Sequence, residues 1–451
     1  MAKFNREKGL RQLEFKRKWR SYSRYVYIAV PCVLCCLLCL YFAYSKFFVS
    51  EEQAVIKTTV GDFIHGDVIG AYIDGEYSST IPGKNDGYTV EKVSCDNGAV
   101  GKWNSDDWGL LTTNLSKRTK CNVYFKKVVS KVPDIIAQLD TSGKCPTMNA
   151  DGSVNVTGAE ATNGYLCKAK DAYGDSYYYR GNVTNNYVEF AGFYWRIVRI
   201  NGDGTVRVIY DGTSAHANGE ASADRQIGTS KFNSSSNDNA YVGYMYGKTR
   251  ASTYADAHAN TNNSTIKTYI DNWYKINIVG TTNEQYLADN VFCNDRSISG
   301  NIPDSNFNNL GYGTNTTAYR WYYFADSSYN NKMMLMCPQK NDAFTVSDTT
   351  NGNGALTYPV GLLSTDEIVL AGGWYANNSG YYLYSGQYWW ASTPSGFNGS
   401  VADVRRVYSN GYAYFDDDVF SLNGVRPVFN LKAEVLTQGS GTASDPYRIS
   451  S

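Results

Sequence analysis

QYWWASTPSGFNGSVADVRRVYSNGYAYFDDDVFSLNGVRPVFNL, residues 387–431, alternates short β-prone runs with Gly, Asn, Ser and Asp clusters. The runs cover 388–391, 401–408, 412–415 and 425–431, and the punctuation between them is that of hairpins in a compact domain. Working outward, 187–212 repeats the pattern more clearly. Two β runs, 194–200 and 205–210, flank Asn201-Gly202-Asp203-Gly204, so turn chemistry alone predicts a hairpin there. The NxDxG spacing lacks the remaining ligand positions and closing glutamate of an EF-hand loop, and reads as a turn.

Helical periodicity is sparse. Ser264 caps a segment in which Ile266, Ile270, Trp273 and Asn277 share one face. Ser364 and Glu367 form a capping box closed by Gly372-Gly373, which explains Asp366 and Glu367 better than a paired acid and base would. The Asn- and Ser-rich stretch 216–263 reads as irregular and superficial.

The chain has 451 residues, 43% of them hydrophobic, which is enough for two or three packed units. Formal charge is +0, so the overall balance points to no nucleic-acid partner. Tyrosine is abundant, 39 against 18 phenylalanines, a composition shared by recognition surfaces and by AT-rich coding sequence.

At the N-terminus, a basic tail (1–24) precedes an uncharged run within 25–48 that is long enough to cross a hydrocarbon core. Its tyrosine flanks and the cationic residues before it predict a single-pass helix with a cytoplasmic N-terminus and an extracellular remainder. Outside that run stand six cysteines, and an even number in an exported region predicts disulfides. Of the 15 possible pairings, sequence neighbours give the simplest: Cys95 with Cys121, Cys145 with Cys167, and Cys293 with Cys337. The three histidines, His65, His216 and His258, are far apart and sit near no cysteine, so no metal or other cofactor is expected.

Residues 55–127 read as a small immunoglobulin-like β domain with strands at 68–73, 88–94, 109–112 and 122–125, and with Trp103 and Trp108 packed near the first bridge. Residues 128–144, with Pro133 at a helix start, read as a linker. The distal domain is then 145–451.

Within it, YYYRGNVTNNYVEFAGFYWRIVRI, DNVFCNDRS, ALTYPVGLLSTDEIVLAGG, YLYSGQYWWASTP and GVRPVFNLKAEVL, closing with GSGTASDPYRIS, resemble the ordered blocks of an uncharacterised domain. That domain belongs to membrane-anchored surface proteins of Firmicutes-type bacteria, and the resemblance spans residues 177–451. The YWW…GVRPV ending more distantly resembles the C-type-lectin-like fold of formylglycine-generating enzymes and of retroelement variable proteins. The resemblance implies a loop-rich mixed α/β distal domain that presents ligands, which with the transmembrane helix and the small β-sandwich read above makes an α+β chain.

Neither EPN, QPD nor WND occurs, so calcium-mediated sugar binding is not implied. A reactive cysteine pair of the oxidase type could only be Cys293 and Cys337, which read better as a bridge. Catalytic residues are therefore not assigned. Ligand binding is assigned to Trp390, Tyr408, Asn410, Tyr412, Tyr414, Asp416, Asp417 and Asp418, where rigid rings alternate with adaptable polar groups. Of the adjacent Trp389 and Trp390, one is expected to face the core and the other to face away. Arg426 is expected to hold a buried carboxylate or carbonyls. The expected function is a membrane-anchored surface adhesin or receptor for an extracellular glycan or protein. The alternatives are a retroelement-diversified display protein and a formylglycine-generating-type oxidase.

Overall fold

The computed structural model describes residues 11, 14–18, 68–84, 86–105, 107–114, 119–300, 305–322, 332–374, 378–413 and 415–449. These fall into two compact units divided between Val128 and Val129.

The first unit is a four-stranded sheet with a hairpin. β1 (Val68–Ile73) pairs antiparallel with β2 (Glu76–Ser78) and parallel with β6 (Lys120–Lys127), which pairs in turn with β3 (Tyr88–Cys95). β4 (Val100–Asn104) and β5 (Gly109–Thr113) form the hairpin. In β6 the alternation places Cys121, Val123 and Phe125 inside, with Lys120, Asn122 and Tyr124 outside. Trp103 and Trp108 pack edge to face 5.4 Å apart beside Phe125, in the cluster that holds the Cys95–Cys121 bridge. On the outer face Tyr77, Tyr72 and Tyr124 stand opposite one another across three strands, and Tyr77 is exposed.

The second unit is built on two six-stranded sheets. The first runs β15 (Val428–Leu431), β11 (Val206–Gly212), β10 (Phe193–Ile200), β8 (Gly174–Arg180), β7 (Tyr165–Asp171), with β9 (Tyr187–Phe190) also on β10. The Asn201–Gly204 turn joins β10 to β11 as its sequence predicts, with Asn201 N–H donating to Thr205 O at 2.8 Å. The second sheet is centred on β12 (Trp389–Phe397) and β13 (Ala402–Val407), with β14 (Asp416–Asp418) on β13. On the other side of β12 lie the short strands Asn423–Gly424 and Thr229–Ser230, with Thr317–Ala318 pairing on β12 as well.

The α+β expectation is not met: the described chain is mostly β. Helices α1 (Val132–Ile136), α2 (Tyr254–Ala257), α3 (Thr265–Asn277) and α4 (Thr365–Leu370) are short, and α3 is the longest at 13 residues. The intervening sequence is too rich in Asn, Ser and Gly to sustain a helical layer, so the mixed α/β, lectin-like architecture implied by resemblance is withdrawn. No helix among the described residues is long and apolar enough to cross a membrane. The structure thus supplies no single-pass anchor, and the localisation built on one is withdrawn with it; residues 25–48 lie outside the described residues.

Residues 128–144 also depart from the linker expectation. Ile135 is fully buried, Ser130 Oγ donates to Ala433 O at 2.7 Å, and the segment from Val129 onward belongs to the second unit. The stretch 216–263 is irregular as expected but not superficial, since Phe232, Val242 and Tyr244 lie in the core. Buried backbone without sheet or helix needs other partners for its carbonyls, and arginines supply them. Arg180 donates to the Glu160, Val369 and Leu370 carbonyls at 2.7–2.9 Å. Arg426 reaches Tyr210 O and Leu383 O and ion-pairs with Asp211 at 2.8 Å, as its sequence setting predicts. Arg225 meets the same carboxylate at 2.8 Å and takes the Tyr382 and Tyr384 carbonyls. Arg180 thus ties the last turn of α4 to β8, while Arg225 and Arg426 tie loop carbonyls to β11.

Candidate functional site

Three disulfides join Cys95 to Cys121, Cys145 to Cys167 and Cys293 to Cys337, the neighbour pairing. The last leaves neither sulfur as a thiolate, so the chemistry of the oxidase alternative has no nucleophile in this bonded state.

A small polar cavity opens beside Cys293, between the bridge and α4. Its charged walls are matched to one another. Arg199 meets Asp171 at 2.5 Å and Glu367 at 3.1 Å, Arg207 meets Glu367 at 2.7 Å, and Arg320 meets Asp366 at 2.6 Å and also Asp295. Burial would raise the Glu367 carboxyl, but Arg207 and Arg199 outweigh it and hold the group below the usual carboxylate range. The Ser364 capping box is complete, with Ser364 N–H donating to Glu367 Oε2 at 3.0 Å. Sequence reading found the cap but not the ion network, whose partners lie 160 residues or more from Glu367 in the case of Arg207 and Arg199. These groups satisfy one another, and the cavity walls read as structure.

The assigned ligand residues divide. Trp390 is fully buried: its indole N–H donates to Ser230 O at 2.9 Å and its ring meets Phe232. Trp389 is buried too, so neither faces solvent. The expectation assumed a strand open on one side, whereas β12 is an inner strand with all nine residues buried. Tyr414 lies outside the described residues.

The remainder gather on one ribbon. The Asn410-Gly411 turn, with Gly411 at φ +86°, returns the chain so that Tyr408 N–H donates to Tyr412 O at 2.8 Å. Asn410 is exposed at this tip. From there Tyr408 meets Phe415 at 4.5 Å and Tyr388 at 5.0 Å between ring centres, and Tyr412 meets Phe415 at 5.0 Å. Tyr388 and Phe415 are each 42% exposed, and Phe420 and Leu422 on the following turn are 48% and 66% exposed.

Arg406 organises the group. Its guanidinium lies 4.9 Å from the Tyr388 ring centre and 4.8 Å from that of Tyr408, meets Asp417 at 2.5 Å, and donates to Asn423 Oδ1 at 3.1 Å. Arg406 and Tyr408 are two residues apart and so share a side of the chain, a signal present in the sequence but not used there. Tyr388, Arg406, Phe415 and Asn423 are thus additions to the expected set.

Asp416 and Asp418 project from the opposite face of β14. Register places Asp416 across from Arg405 and Asp418 across from Asp403. Asp416 accepts from Ser395 Oγ at 2.5 Å, and Asp418 accepts from Phe420 N–H at 2.8 Å. Arg405 is buried and donates to the Trp321 and Tyr322 carbonyls. Burial, reinforced by Asp416, Asp418 and Asp417, pushes the Asp403 carboxyl up to about 7. Among the described residues no group of three or more His, Cys, Asp or Glu side chains is arranged to hold a metal ion.

No family model, curated protein or solved structure matches this chain. The ring cluster is therefore read on its own chemistry.

Proposed function

We propose that this protein is a binding protein that recognises a glycan or protein through the ring-bearing face of β13 and β14. One observation carries the reading. Four aromatic side chains, Tyr388, Tyr408, Phe415 and Tyr412, form one chain of ring contacts at the surface of the second unit. Exposed large apolar groups scattered singly need no explanation, but a contiguous set rimmed by polar residues marks an interaction site. The rim here is Asn410, Arg406 and Asp417. The ordered sequence blocks that resemble a domain of bacterial surface proteins support the same reading.

Arrays of glycans and proteins probed with the full chain test it. Binding that is lost on replacing Tyr408 and Tyr412 together by alanine supports the assignment. Binding unchanged by that double replacement moves the site elsewhere.

A further inference from the structure

Resting on that reading, we infer that the ring face is regulated by pH, with β14 as its latch. The strand stays paired on β13 while Asp403 is uncharged and loosens when Asp403 ionises, taking with it the residue that orients the rings.

The geometry is that of a short ribbon with two unlike faces. β14 is an edge strand of three residues, held through its pairing with β13. Side chains alternate along it, so Asp416 and Asp418 point to one face and Asp417 to the other. On the first face Asp418 stands opposite Asp403, and Asp416 opposite Arg405. Arg405, the cation beside them, is turned to the Trp321 and Tyr322 carbonyls. From β12 the residue across from Asp403 is Gly396, with the Tyr322 ring against it, and that strand carries no charged residue. Like charges directly opposite on paired strands are destabilising, so the closed pairing favours an uncharged Asp403. Burial, and then the carboxylates of Asp416, Asp418 and Asp417, push its own carboxyl up to about 7.

On the second face Asp417 meets Arg406 at 2.5 Å and accepts from Asn423 Nδ2 at 3.0 Å. Arg406 in turn lies 4.9 Å from the Tyr388 ring centre and 4.8 Å from that of Tyr408. Phe415, whose ring meets Tyr408 and Tyr412, immediately precedes β14, and its carbonyl accepts from Arg406 N–H at 2.9 Å. The strand that a charged Asp403 repels is thus the strand that fixes the guanidinium and positions one of the rings. A short edge strand is also the kind of element that opens locally while the rest of the fold stays closed. Linkage sets the size of the effect. With Asp403 at about 7 in the closed ribbon and at roughly 3.9 once released, opening becomes about tenfold more favourable between pH 6 and pH 8.

The test needs no ligand. Hydrogen–deuterium exchange of the full chain is followed at pH 6 and pH 8 and corrected for the intrinsic pH dependence of exchange. The amides of Arg406 and Val419, which donate to Phe415 O and Ala402 O, report the latch. They should exchange about tenfold faster at pH 8 in the wild type, and equally at the two pH values in Asp403→Asn. A para-fluorophenylalanine at position 415 reports the rings. Its fluorine resonance should move with a midpoint near pH 7 and stay fixed when Asp403→Asn is added. Asp418→Asn removes the facing charge and should shift both midpoints to lower pH, which keeps the test in force if the Asp403 variant fails to fold.

Exchange at Arg406 and Val419 that is equal at the two pH values in the wild type, or that keeps its difference in Asp403→Asn, would overturn the inference. A latch that opens while the fluorine signal stays still would overturn it too, because the rings would then be held by other contacts. Neither readout involves a bound partner, so these results stand apart from failure of the binding reading, which the glycan and protein arrays decide.

Discussion

Asp403 stands directly across from Asp418 on the paired strands β13 and β14. Burial raises the cost of charging Asp403, and the nearby carboxylates of Asp416 and Asp418 add to it. The proton that Asp403 retains up to about pH 7 is the fold's response.

This fixes the sign of one pH dependence. The folded value lies above that of an unfolded aspartate, roughly 3.9. Between about pH 4 and pH 7 the unfolded chain releases a proton that the folded chain keeps, so this group's contribution to stability falls as pH rises through that window. Asp403→Asn removes the effect. Its melting temperature should decline less than that of the wild type between pH 5 and pH 8 and exceed it at pH 8. Parallel pH profiles for the two proteins would show that Asp403 does not titrate there.

His258 acts in the opposite sense. Its ring is buried, lies 3.8 Å from that of Tyr254, and contacts Gly311 O at 3.0 Å through Nε2. Burial first, and then the Arg296 charge, push its pKa down to about 3. The unfolded imidazole takes up a proton as pH falls through roughly 6.5 while the folded one refuses it, so stability is lost progressively from there down to about pH 3. His258→Gln should unfold at a lower temperature at pH 7, where the packing of the ring is lost, yet show a shallower decline from pH 6.5 to pH 4. Thermal scans across that range decide it; an equally steep decline in the variant would assign the acid sensitivity to other groups.

How much of this was legible beforehand depended on the range of the interaction. The Asn201–Gly204 hairpin, the Ser264 and Ser364 caps and the three neighbour disulfides are local, and each could be read from a window of a few tens of residues. Arg426 was legible as a donor because no other role suits a guanidinium within GVRP, although Asp211 as its partner was not. Trp390 was misread because period-two alternation reports the two faces of a strand without saying whether both are covered. Among the ring residues, Tyr408 and Tyr412 were found by composition. Tyr388 and Phe415 were missed because their contacts depend on the pairing of β12, β13 and β14, which no single stretch specifies.

The Cys293–Cys337 bridge spans a sequence separation of 44 residues. In the chain-entropy account a closed loop of that size stabilises by about 4 kcal/mol. Replacing both cysteines by alanine should lower the unfolding free energy of the second unit by a few kcal/mol, as read from urea denaturation. A change under about 1 kcal/mol would mean that the loop is ordered equally well without its bridge.

Glu367 separates capping from charge pairing within one side chain. Its Oε2 closes the α4 cap on Ser364, while its Oε1 meets Arg199 at 3.1 Å and Arg207 at 2.7 Å, and all three side chains are nearly inaccessible. Ser364→Ala removes the cap alone and should cost about 1 kcal/mol. Glu367→Gln preserves the shape and an acceptor oxygen but leaves two buried guanidinium groups sharing fewer negative charges, and breaking a buried pair costs about 3–5 kcal/mol. Urea denaturation of the two variants should therefore differ severalfold. Comparable losses would mean that Asp171, 2.5 Å from Arg199, carries most of the compensating charge, and that Glu367 serves mainly to start the helix.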